Sequence, residues 1–327
     1  MSTDIKKIRQ KIDSLDDEIL QLLNQRAEQA ISIAKEKQKQ QESDNFYNPE
    51  REAQVIRRIQ DLNSGPLSDD AITKLFREVM SACLSLEAPL KVSYLGPEGT
   101  YTQLAAQKHF GSSVLSMPHS SVEEVFLSVE KRDSHYGVVP VENSTQGIVA
   151  STLDMFMKSS LRISGEIEIL INHNVLSKSR KIEDIEKIYA HPQSFAQCKN
   201  WIEKNCSNIE KINSSSNAEA ALIASKEKNS AAIASEVASD IYDLNIISKN
   251  IEDNHNNSTR FLVVGDRDTQ PSGSDKTSII VSTKNNSGAL YELLSPLSKN
   301  KVSMTRIESR PSKHNNWEYI FYLDLNG

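Results

Sequence analysis

Apolar residues three and four positions apart run through the first 41 residues of the chain. They are Ile5, Ile8, Ile12, Leu15, Ile19 and Leu22. Neither proline nor glycine interrupts residues 3 to 41, so the pattern predicts one long helix. At 1.5 Å per residue this helix is roughly 55 to 60 Å long, more than a lone domain of this size needs. We therefore expect a second copy of the chain to cover it, in a homodimer.

Two further helices follow with the same apolar spacing. In "YNPEREAQVIRRI", Asn48 is a suitable N-cap and Pro49 a suitable first helical residue. A third helix is predicted for residues 69 to about 87. Its stripe runs through Ile72, Leu75, Phe76, Val79, Met80 and Cys83, and the next position on it is Glu87. Residues 1–90 thus form an all-helical domain.

After residue 90 the pattern changes to short apolar strands that alternate with helices. "KVSYLGPEGTYTQLAAQKHF" predicts a strand, a tight turn and a helix that begins near Thr100 or Thr102. "YGVVPVENSTQGIVASTLDMF" repeats the plan with a polar loop. "KIYAHPQSFAQCKNWI" repeats it again, with His191 to Ser194 before a helix that carries Gln197. This α/β region covers residues 91–268.

The segment "GDRDTQPSGSDK" is rich in small and polar residues and reads as a linker. Beyond it, "TSIIVSTKN" predicts a strand, "GALYELLSPLSKN" a helix, and "VSMTRIESR" and "EYIFYLDL" two more strands. Residues 276–327 therefore form a third, α+β piece. The chain is multidomain.

Composition excludes several classes of function. The formal net charge of -6, with no long run of one sign, disfavours nucleic acid as a partner. No segment reaches the ~18 apolar residues of a membrane span, and "MSTDIKKIRQ" lacks the apolar core of a secretory signal. The three cysteines show no C-x-x-C pairing, so neither disulfides nor a metal site is indicated. We expect a cytoplasmic protein with reduced thiols.

Charged side chains fall on the apolar seams of the three predicted helices. Lys37 lies eleven residues, about three turns, after Arg26, so both share one face. Arg9 points about a quarter turn away, so geometry assigns it to the site of a partner chain. The other charges on these seams are Arg51, Glu52 and Glu87. Each could lie at the edge of the bundle or pair with a neighbour. Four cations and two acids together instead favour an anionic ligand with more than one carboxylate.

The spacing R-x16-R-x10-K followed by "PERE" resembles the all-helical chorismate mutase domain, over about residues 1 to 90. The resemblance implies an intertwined helical dimer that rearranges chorismate to prephenate without a cofactor. It implies that Arg9 of the partner chain, Arg26 and Arg51 bind the two substrate carboxylates. Lys37 and Glu87 would face the ether oxygen, and Glu52 the hydroxyl. Asn48, where some relatives have Asp, and Cys83 complete the implied site.

Such a pericyclic reaction is accelerated by holding a compact conformer and by stabilising charge on the breaking C–O bond. Lys37 is the natural electrostatic contributor. Glu87 replaces the Gln of many relatives, and a glutamate donates to the ether oxygen only when protonated. We therefore expect mutase activity to fall at alkaline pH.

The α/β region carries polar loops where strands lead into helices, a position that suits anions because free N–H groups meet there. None fits a nucleotide-binding fingerprint, since "GPEGTY" lacks the third glycine and the Lys-Ser/Thr pair. Taken together, "YLGPEGTYT", "VVPVENSTQG", "HPQSFAQC" and "NNSTRF" resemble prephenate dehydratase in the expected order. The resemblance implies two α/β lobes, similar to periplasmic binding proteins, with the active site in the cleft between them.

By this resemblance Thr259 is the residue most closely tied to catalysis. The other residues implied in the cleft are Asn143, Ser144, Thr145 and Gln197, and Arg260 and Phe261 would support the loop or contact substrate. A threonine hydroxyl is too weak an acid to give up a proton at pH 7, so we expect a strong hydrogen bond to the departing hydroxyl. His191 and Cys198 are alternative catalytic residues, but both residue types are more often structural in such settings. Ala190 replaces a Ser of some relatives.

The last piece resembles the ACT domain that follows prephenate dehydratase and binds L-phenylalanine across a dimer interface. The matching residues are Gly288, Ala289, Leu290, Glu308, Ser309, Arg310 and Pro311, and Tyr291 departs from the usual Val. The family plan has a further helix and strand after the third strand, so we expect this domain to be incomplete and the chain to be a fragment.

These resemblances imply a bifunctional enzyme that converts chorismate through prephenate to phenylpyruvate, under feedback inhibition by L-phenylalanine. No metal or other cofactor is implied. Two rivals stay open at this point: a noncatalytic binding module, which a two-lobed cleft with a sensing domain also describes, and a chain in which one activity alone survives.

Overall fold

The computed structural model describes residues 2–39, 47–283, 286–311 and 319–326. They form two compact units: Met1–Pro49 with Ile56–Asp268, and Glu50–Val55 with Thr269–Gly327. The units do not coincide with the three predicted domains, whose boundaries stay predictions.

Three helices open the chain, as the apolar spacing predicts. They are α1 (Ser2–Lys39), α2 (Pro49–Leu62) and α3 (Asp69–Ser85). Pro49 is the first residue of α2, where its missing N–H costs no hydrogen bond. The side chain of Ser68 caps α3 by accepting a hydrogen bond from the backbone N–H of Ala71. The last two residues of the first predicted helix lie outside the described ones.

The apolar stripe of α1 is largely uncovered in the single chain. The exposed fractions are 54% for Ile5, 58% for Ile8, 50% for Ile12, 55% for Leu15, 53% for Ile19 and 63% for Leu22. Near its end, α1 packs on α3, and Ala34 is buried. The neighbouring Ile33 is 55% exposed.

Helix α3 is fixed to the α/β region by polar contacts. Arg77 donates from Nη1 to the backbone oxygen of Lys108 at 2.9 Å. Ser112 donates from its backbone N–H and its hydroxyl to Glu78 Oε2, at 3.1 and 2.6 Å. The helical region is therefore held directly on the first lobe of the α/β region.

The α/β region consists of short strands and helices in alternation, as predicted. Its elements are β1 (Lys91–Leu95), α4 (Tyr101–Phe110), β2 (Leu115–His119), α5 (Val122–Glu130), β3 (Tyr136–Asn143), β4 (Gly147–Ile148), α6 (Ala150–Phe156), β5 (Arg162–Leu170), β6 (Asn174–Ser177), a 3₁₀ turn (Ile182–Asp184), β7 (Lys187–Ala190), α7 (Pro192–Gln197), α8 (Lys199–Asn205), β8 (Glu210–Asn213), α9 (Asn217–Lys226), β9 (Ser230–Ala234), α10 (Glu236–Ile241), β10 (Asn245–Ser248) and β11 (Ser258–Gly265).

Two separate sheets make two lobes. The first has the order β2-β1-β3-β11-β5, with β4 beside β3, and the second has the order β10-β6-β9-β7-β8. The chain crosses to the second lobe after β5 and returns with β11, which pairs antiparallel with both β3 and β5. β11 has a strand on each side, and its residues Phe261 to Val264 are buried. The predicted two-lobed α/β architecture is confirmed.

In the second unit, the described residues after 268 form a three-stranded antiparallel sheet and one helix. Their bounds are β12 (Lys276–Thr283), α11 (Ala289–Lys299), β13 (Ser303–Pro311) and β14 (Tyr319–Asn326). β14 lies between β12 and β13. A small core joins Phe321, Leu323 and Leu325 of the sheet to leucines of α11. The order strand, helix, strand, strand agrees with the prediction for this segment.

No helix among the described residues is long and apolar enough to cross a membrane.

Candidate active sites

Thr259 lies at the start of β11, opposite Asn143 at the end of β3. Asn143 donates from Nδ2 to Thr259 Oγ1 at 2.8 Å and to the backbone oxygen of Ser258 at 3.2 Å. Both side chains are half-buried. The antiparallel pairing therefore joins two of the predicted loops, "ENST" and "NNSTRF", at their central polar residues.

The orientation of the Asn143 amide is fixed by backbone groups. Its Oδ1 accepts hydrogen bonds from the backbone N–H groups of Thr145 at 3.0 Å and Gln146 at 3.1 Å. It also accepts from the Thr145 hydroxyl at 2.6 Å. Backbone N–H groups are always donors, so Oδ1 faces the loop and Nδ2 faces Thr259. Thr259 Oγ1 is thus an acceptor in this pair.

Asn257 belongs to the same cluster, although the sequence analysis did not select it. It is 2% exposed, and its Oδ1 accepts from Asn143 Nδ2 at 3.0 Å and from Ser144 Oγ at 3.2 Å. Ser144 Oγ in turn accepts from the backbone N–H of Ser258 at 3.0 Å. The signal that could have identified Asn257 is its position, two residues before Thr259. A side-chain amide that is buried there needs hydrogen-bond partners from the neighbouring loops.

Arg260 and Phe261 do not face the cluster as ligand-binding groups. Arg260 is paired with Glu166 (Nη1 to Oε2, 3.0 Å) and with Glu142 (Nη2 to Oε2, 3.6 Å). Its positive charge is therefore already matched by two carboxylates. Phe261 is 2% exposed in the core of the first lobe, together with Val138. Of the two predicted roles, the geometry favours support of the loop for both residues.

Gln197 brings the second lobe to this cluster. It ends α7, and its Nε2 donates to Thr145 Oγ1 at 3.5 Å, a long hydrogen bond. Its Oε1 lies 2.8 Å from Nε2 of His173. The Nδ1 of His173 is 3.3 Å from the hydroxyl of Tyr101, which donates to the backbone oxygen of Asn172 at 2.7 Å.

His173 and Tyr101 were also missed by the sequence analysis. His173 is 2% exposed, and burial lowers its pKa, with smaller opposing contributions from Gln197 and Glu252. Burial likewise raises the pKa of Tyr101 well above its ordinary value. The signal in the sequence is "INHNVL", in which three polar residues interrupt an apolar run between two strands.

The alternative catalytic residues of the third loop have structural surroundings. His191 is the N-cap of α7 and accepts from the backbone N–H of Gln193 at 3.3 Å. The prediction that residues 191 to 194 all precede the helix is wrong. The helix begins at Pro192, so of these four residues His191 alone lies before it. Cys198 is fully buried, and burial raises the pKa of its thiol. A nucleophilic thiolate at this position is disfavoured.

In the helical region, Lys37 and Glu87 form an ion pair, while their predicted roles toward the ether oxygen stay predictions. Lys37 Nζ lies 3.3 Å from Glu87 Oε1, with side chains 24% and 10% exposed. Arg26 is half-buried, Arg9 is exposed, and Cys83 is buried. The remaining predicted residues follow. Arg51 and Glu52 fall in the second unit, and Asn48 lies directly before α2. The convergence of all six charges stays a prediction.

The predicted effector residues lie at two places in the second unit. Gly288 precedes α11 with a φ of 85°, a left-handed conformation that glycine adopts readily. Ala289 and Leu290 begin that helix, and Leu290 is 43% exposed. On β13, Glu308 and Arg310 alternate with the more exposed Ser309 and Pro311. Glu308 and Arg310 thus share one face of the sheet.

Family models match most of the chain in the same order as these regions. Residues 8–88 match chorismate mutase type II, and residues 92–269 match prephenate dehydratase. The crystal structure of prephenate dehydratase from Arthrobacter aurescens, in complex with L-Phe, is 29% identical. It aligns with a TM-score of 0.67 over 73% of this chain and 80% of that one.

Curated relatives cover nearly the whole chain. The bifunctional chorismate mutase/prephenate dehydratase of Pseudomonas aeruginosa is 48% identical over 327 residues, 99% of this chain and 90% of that protein. The protein of the same name from Neisseria gonorrhoeae is 48% identical over 322 residues, 98% of this chain and 88% of that protein. This chain therefore belongs to the family of bifunctional chorismate mutase/prephenate dehydratases.

Proposed function

We propose that the cluster around Thr259, Asn143 and Gln197 is the dehydratase site, and that Lys37 and Glu87 belong to the mutase site. The chain, as a member of its family, converts chorismate to prephenate and prephenate to phenylpyruvate. The rival interpretation as a noncatalytic binding module is thereby excluded. The family matches at residues 8–88 and 92–269 support domain boundaries near residues 90 and 268.

The direction of one hydrogen bond carries the proposal for Thr259. Its Oγ1 accepts from Asn143, whose orientation backbone groups determine. This hydrogen bond uses the Thr259 oxygen as its acceptor and does not involve the hydroxyl proton. The proton is therefore available to a ligand in the cleft. A preorganised donor of this kind is most effective where charge develops in the transition state.

The reaction needs such a donor at the departing hydroxyl. In prephenate, the bond between the ring and its carboxylate breaks and releases carbon dioxide. The electron pair of that bond enters the ring, and the C–O bond opposite breaks, so that the ring becomes aromatic. The hydroxyl leaves with the electron pair of the C–O bond and takes up a proton from water. Thr259 stabilises the negative charge on that oxygen by a hydrogen bond, without transferring its own proton.

Arg260 contributes to this site as a support. Glu142 and Glu166 lie on β3 and β5, the two strands that flank β11. Their ion pairs with Arg260 therefore tie the three strands together at the level of Thr259. Because Arg260 directly follows Thr259 on β11, these ion pairs help to hold Thr259 in place between β3 and β5.

For the mutase site, Lys37 is the group that stabilises charge on the ether oxygen. Glu87 Oε1 lies 3.3 Å from Lys37 Nζ and positions it. Arg9 is exposed on α1, the same helix whose apolar stripe is uncovered. Both facts support a homodimer in which Arg9 enters the site of the other copy. We also infer a cytoplasmic location, which stays a prediction.

For regulation, residues 276–327 are proposed to bind L-phenylalanine as an ACT domain. Gly288, whose conformation suits glycine, begins the first motif, and Glu308 with Arg310 forms one side of the second. The bound L-Phe in the 29% identical relative supports this assignment.

Two assays on one preparation test the whole proposal. Loss of chorismate and formation of phenylpyruvate from added prephenate are measured separately, each with and without L-phenylalanine. We expect both activities, with the dehydratase inhibited by the amino acid. Absence of either rate would contradict the corresponding site.

The donor role of Glu87 has its own test. If a protonated Glu87 donates to the ether oxygen, Glu87→Gln keeps mutase activity at high pH, where the wild type loses it. A flat pH profile in the wild type rejects that role and leaves Glu87 as the ion-pair partner of Lys37.

A further inference from the structure

His173 occupies a fixed position where the chain passes from the first lobe to the second. It follows β5 and directly precedes β6. Its backbone N–H donates to Glu252 Oε2 at 2.8 Å, and its backbone oxygen accepts from the N–H of Ile251 at 2.9 Å. With both backbone groups held and 2% of the residue exposed, the imidazole has little freedom to move.

The ring lies between one residue from each lobe. On the Nδ1 side is the hydroxyl of Tyr101, from α4 of the first lobe, at 3.3 Å. On the Nε2 side is Oε1 of Gln197, from α7 of the second lobe, at 2.8 Å. Burial lowers the pKa of His173, so at neutral pH the ring carries one proton, on one of the two nitrogens.

The position of that proton follows from the orientation of its neighbours. The Thr145 hydroxyl donates to Asn143 Oδ1 at 2.6 Å, so its oxygen accepts from Gln197 Nε2 at 3.5 Å. Gln197 therefore turns its NH₂ group toward Thr145 and its oxygen toward His173. An amide oxygen only accepts hydrogen bonds. The Nε2 of His173 must therefore carry the proton, and Nδ1 carries none. The Tyr101 hydroxyl gives its one proton to the backbone oxygen of Asn172 at 2.7 Å, so it does not compete for the ring.

The hydrogen bond from His173 selects one of the two possible orientations of the Gln197 side-chain amide. The two faces of a glutamine amide have almost the same shape, so sterics alone do not select one orientation. A flipped Gln197 would present its oxygen to the cleft, where prephenate brings two carboxylates. Two acceptors facing each other repel, whereas the NH₂ group donates to a carboxylate.

We propose that His173 is a positioning residue of the dehydratase: as the Nε2–H tautomer it orients the Gln197 amide so that its NH₂ group faces the cleft. This inference rests on the proposed location of the dehydratase site at Thr259 and Gln197. A buried histidine that only fills space between the lobes would require neither a particular tautomer nor a particular orientation of the Gln197 amide.

Activity measurements distinguish the two roles. His173→Gln retains a side-chain N–H near the Nε2 position, while His173→Met has a similar volume and no donor. We expect His173→Met to lower the dehydratase kcat about 10- to 100-fold through a misplaced amide, and His173→Gln to retain most of it. In a Gln197→Ala background, the change from His173 to Met adds no further loss. The proposal is overturned if His173→Met and His173→Gln lower kcat equally. It is also overturned if His173→Met lowers kcat as much in the Gln197→Ala background as in the wild type.

The mutase rate of the same variants serves as the internal control for folding. A tautomer measurement covers the case in which His173→Met does not fold. Long-range ¹H–¹⁵N spectra of the intact wild-type chain, with the His173 signal assigned through His173→Gln, should give the Nε2–H pattern. An Nδ1–H pattern overturns the proposal without any activity measurement.

Failure of the inference about His173 can be distinguished from failure of the proposed dehydratase site at Thr259. If Thr259→Ala leaves the dehydratase intact, the site is misplaced and the premise of this inference falls. If Thr259→Ala removes activity while the His173 variants match the wild type, His173 is a structural residue and the inference alone fails.

Discussion

The first helix and the dehydratase strands bury their apolar residues to opposite extents. The six stripe residues of α1 are between 50% and 63% exposed in the single chain. Val138 and Val139 of β3, and Val263 and Val264 of β11, have no exposed surface. Since burial of apolar surface is the main favourable contribution to folding, the α/β region can be stable within one chain. Helix α1 leaves its apolar stripe uncovered in the single chain, so it is proposed to need a partner.

The same contrast holds for the two sites. Around Thr259, the side chains of three loops and both lobes are joined by hydrogen bonds within one chain. In the helical region, the ion pair of Lys37 with Glu87 lies in the first unit, while Arg9 is exposed. The proposed dehydratase site is thus assembled within a single chain, and the proposed mutase site is expected to need a second copy. The two activities should respond differently to the following changes.

The largest effect is expected from Thr259→Ala, which removes the proposed hydrogen-bond donor. The dehydratase kcat should fall about 100- to 1,000-fold, as for other preorganised donors to a developing oxyanion, with a much smaller change in KM. Steady-state rates of phenylpyruvate formation give both parameters. The mutase rate should be unchanged, because the two sites share no residue.

Thr259→Ser is the matched control for this change. It keeps the hydroxyl that Asn143 contacts and loses only a methyl group, so it should retain more activity than Thr259→Ala. Equal losses from the two substitutions would show that the hydroxyl is not the important group.

The next effect is expected from a charge on the apolar stripe of α1. Leu15→Asp should oppose dimer formation and lower the mutase rate about 100-fold at low protein concentration, a cost of roughly 3 kcal/mol at the interface. The dehydratase rate should stay close to that of the wild type. Sedimentation velocity measures the oligomeric state alongside the two rates.

Ser14→Asp places the same charge on an exposed, polar position of the same helix. It should leave both rates and the oligomer unchanged. A mutase that remains fully active in a monomeric Leu15→Asp chain would remove the contrast between the two sites.

Arg260→Gln should have an intermediate effect on the dehydratase. It removes the cation shared by the half-buried Glu142 and the exposed Glu166, so β11 should be held less firmly. We expect a loss of about tenfold in kcat and a lower melting temperature, measured by calorimetry. A rise in KM alone, with unchanged stability, would instead make Arg260 a ligand for a substrate carboxylate.

Much of the fold followed from periodicity. The three helices, the two-lobed α/β region and the strand-helix-strand-strand segment agree with the pattern of apolar residues, because each element must bury one face. A regular stripe on a long helix does not indicate which turns a single chain covers: near the end of α1, Ala34 is buried and Ile33 is 55% exposed. Helix α7 begins earlier than expected because Pro192 suits the first turn and His191 caps it.

The candidate site was only partly accessible from sequence. Motifs identified Asn143, Thr145, Gln197 and Thr259, which the structure brings together. His173 and Asn257 are held there by residues 24 and 114 positions away in the sequence. Such long-range hydrogen bonds leave no periodic pattern. Phe261 was grouped with ligand-contacting residues because it belongs to the same motif as Thr259. It is buried instead because successive residues 261 to 264 of β11 are all buried, so both faces of the strand are covered there.

The smallest effect concerns acid stability, in which the two regions should also differ. Burial, with a smaller contribution from Arg77, lowers the pKa of His109 to about 3. Between pH 6.5 and about 3 the unfolded chain therefore binds a proton that the folded chain does not, so the free energy of unfolding falls as pH falls. The loss is at most about 1.4 kcal/mol per pH unit for one histidine. Residues 1–90 contain no histidine, so this loss belongs to the α/β region.

Urea unfolding between pH 7 and pH 5 measures this dependence. In His109→Gln the slope of unfolding free energy against pH should be shallower than in the wild type, because the titrating group is gone. Gln107→Ala, on the same helix, should keep the wild-type slope. Carboxylates contribute equally to all three proteins, so the difference between slopes isolates His109. An unchanged slope in His109→Gln would mean that acid weakens the α/β region through groups other than this histidine.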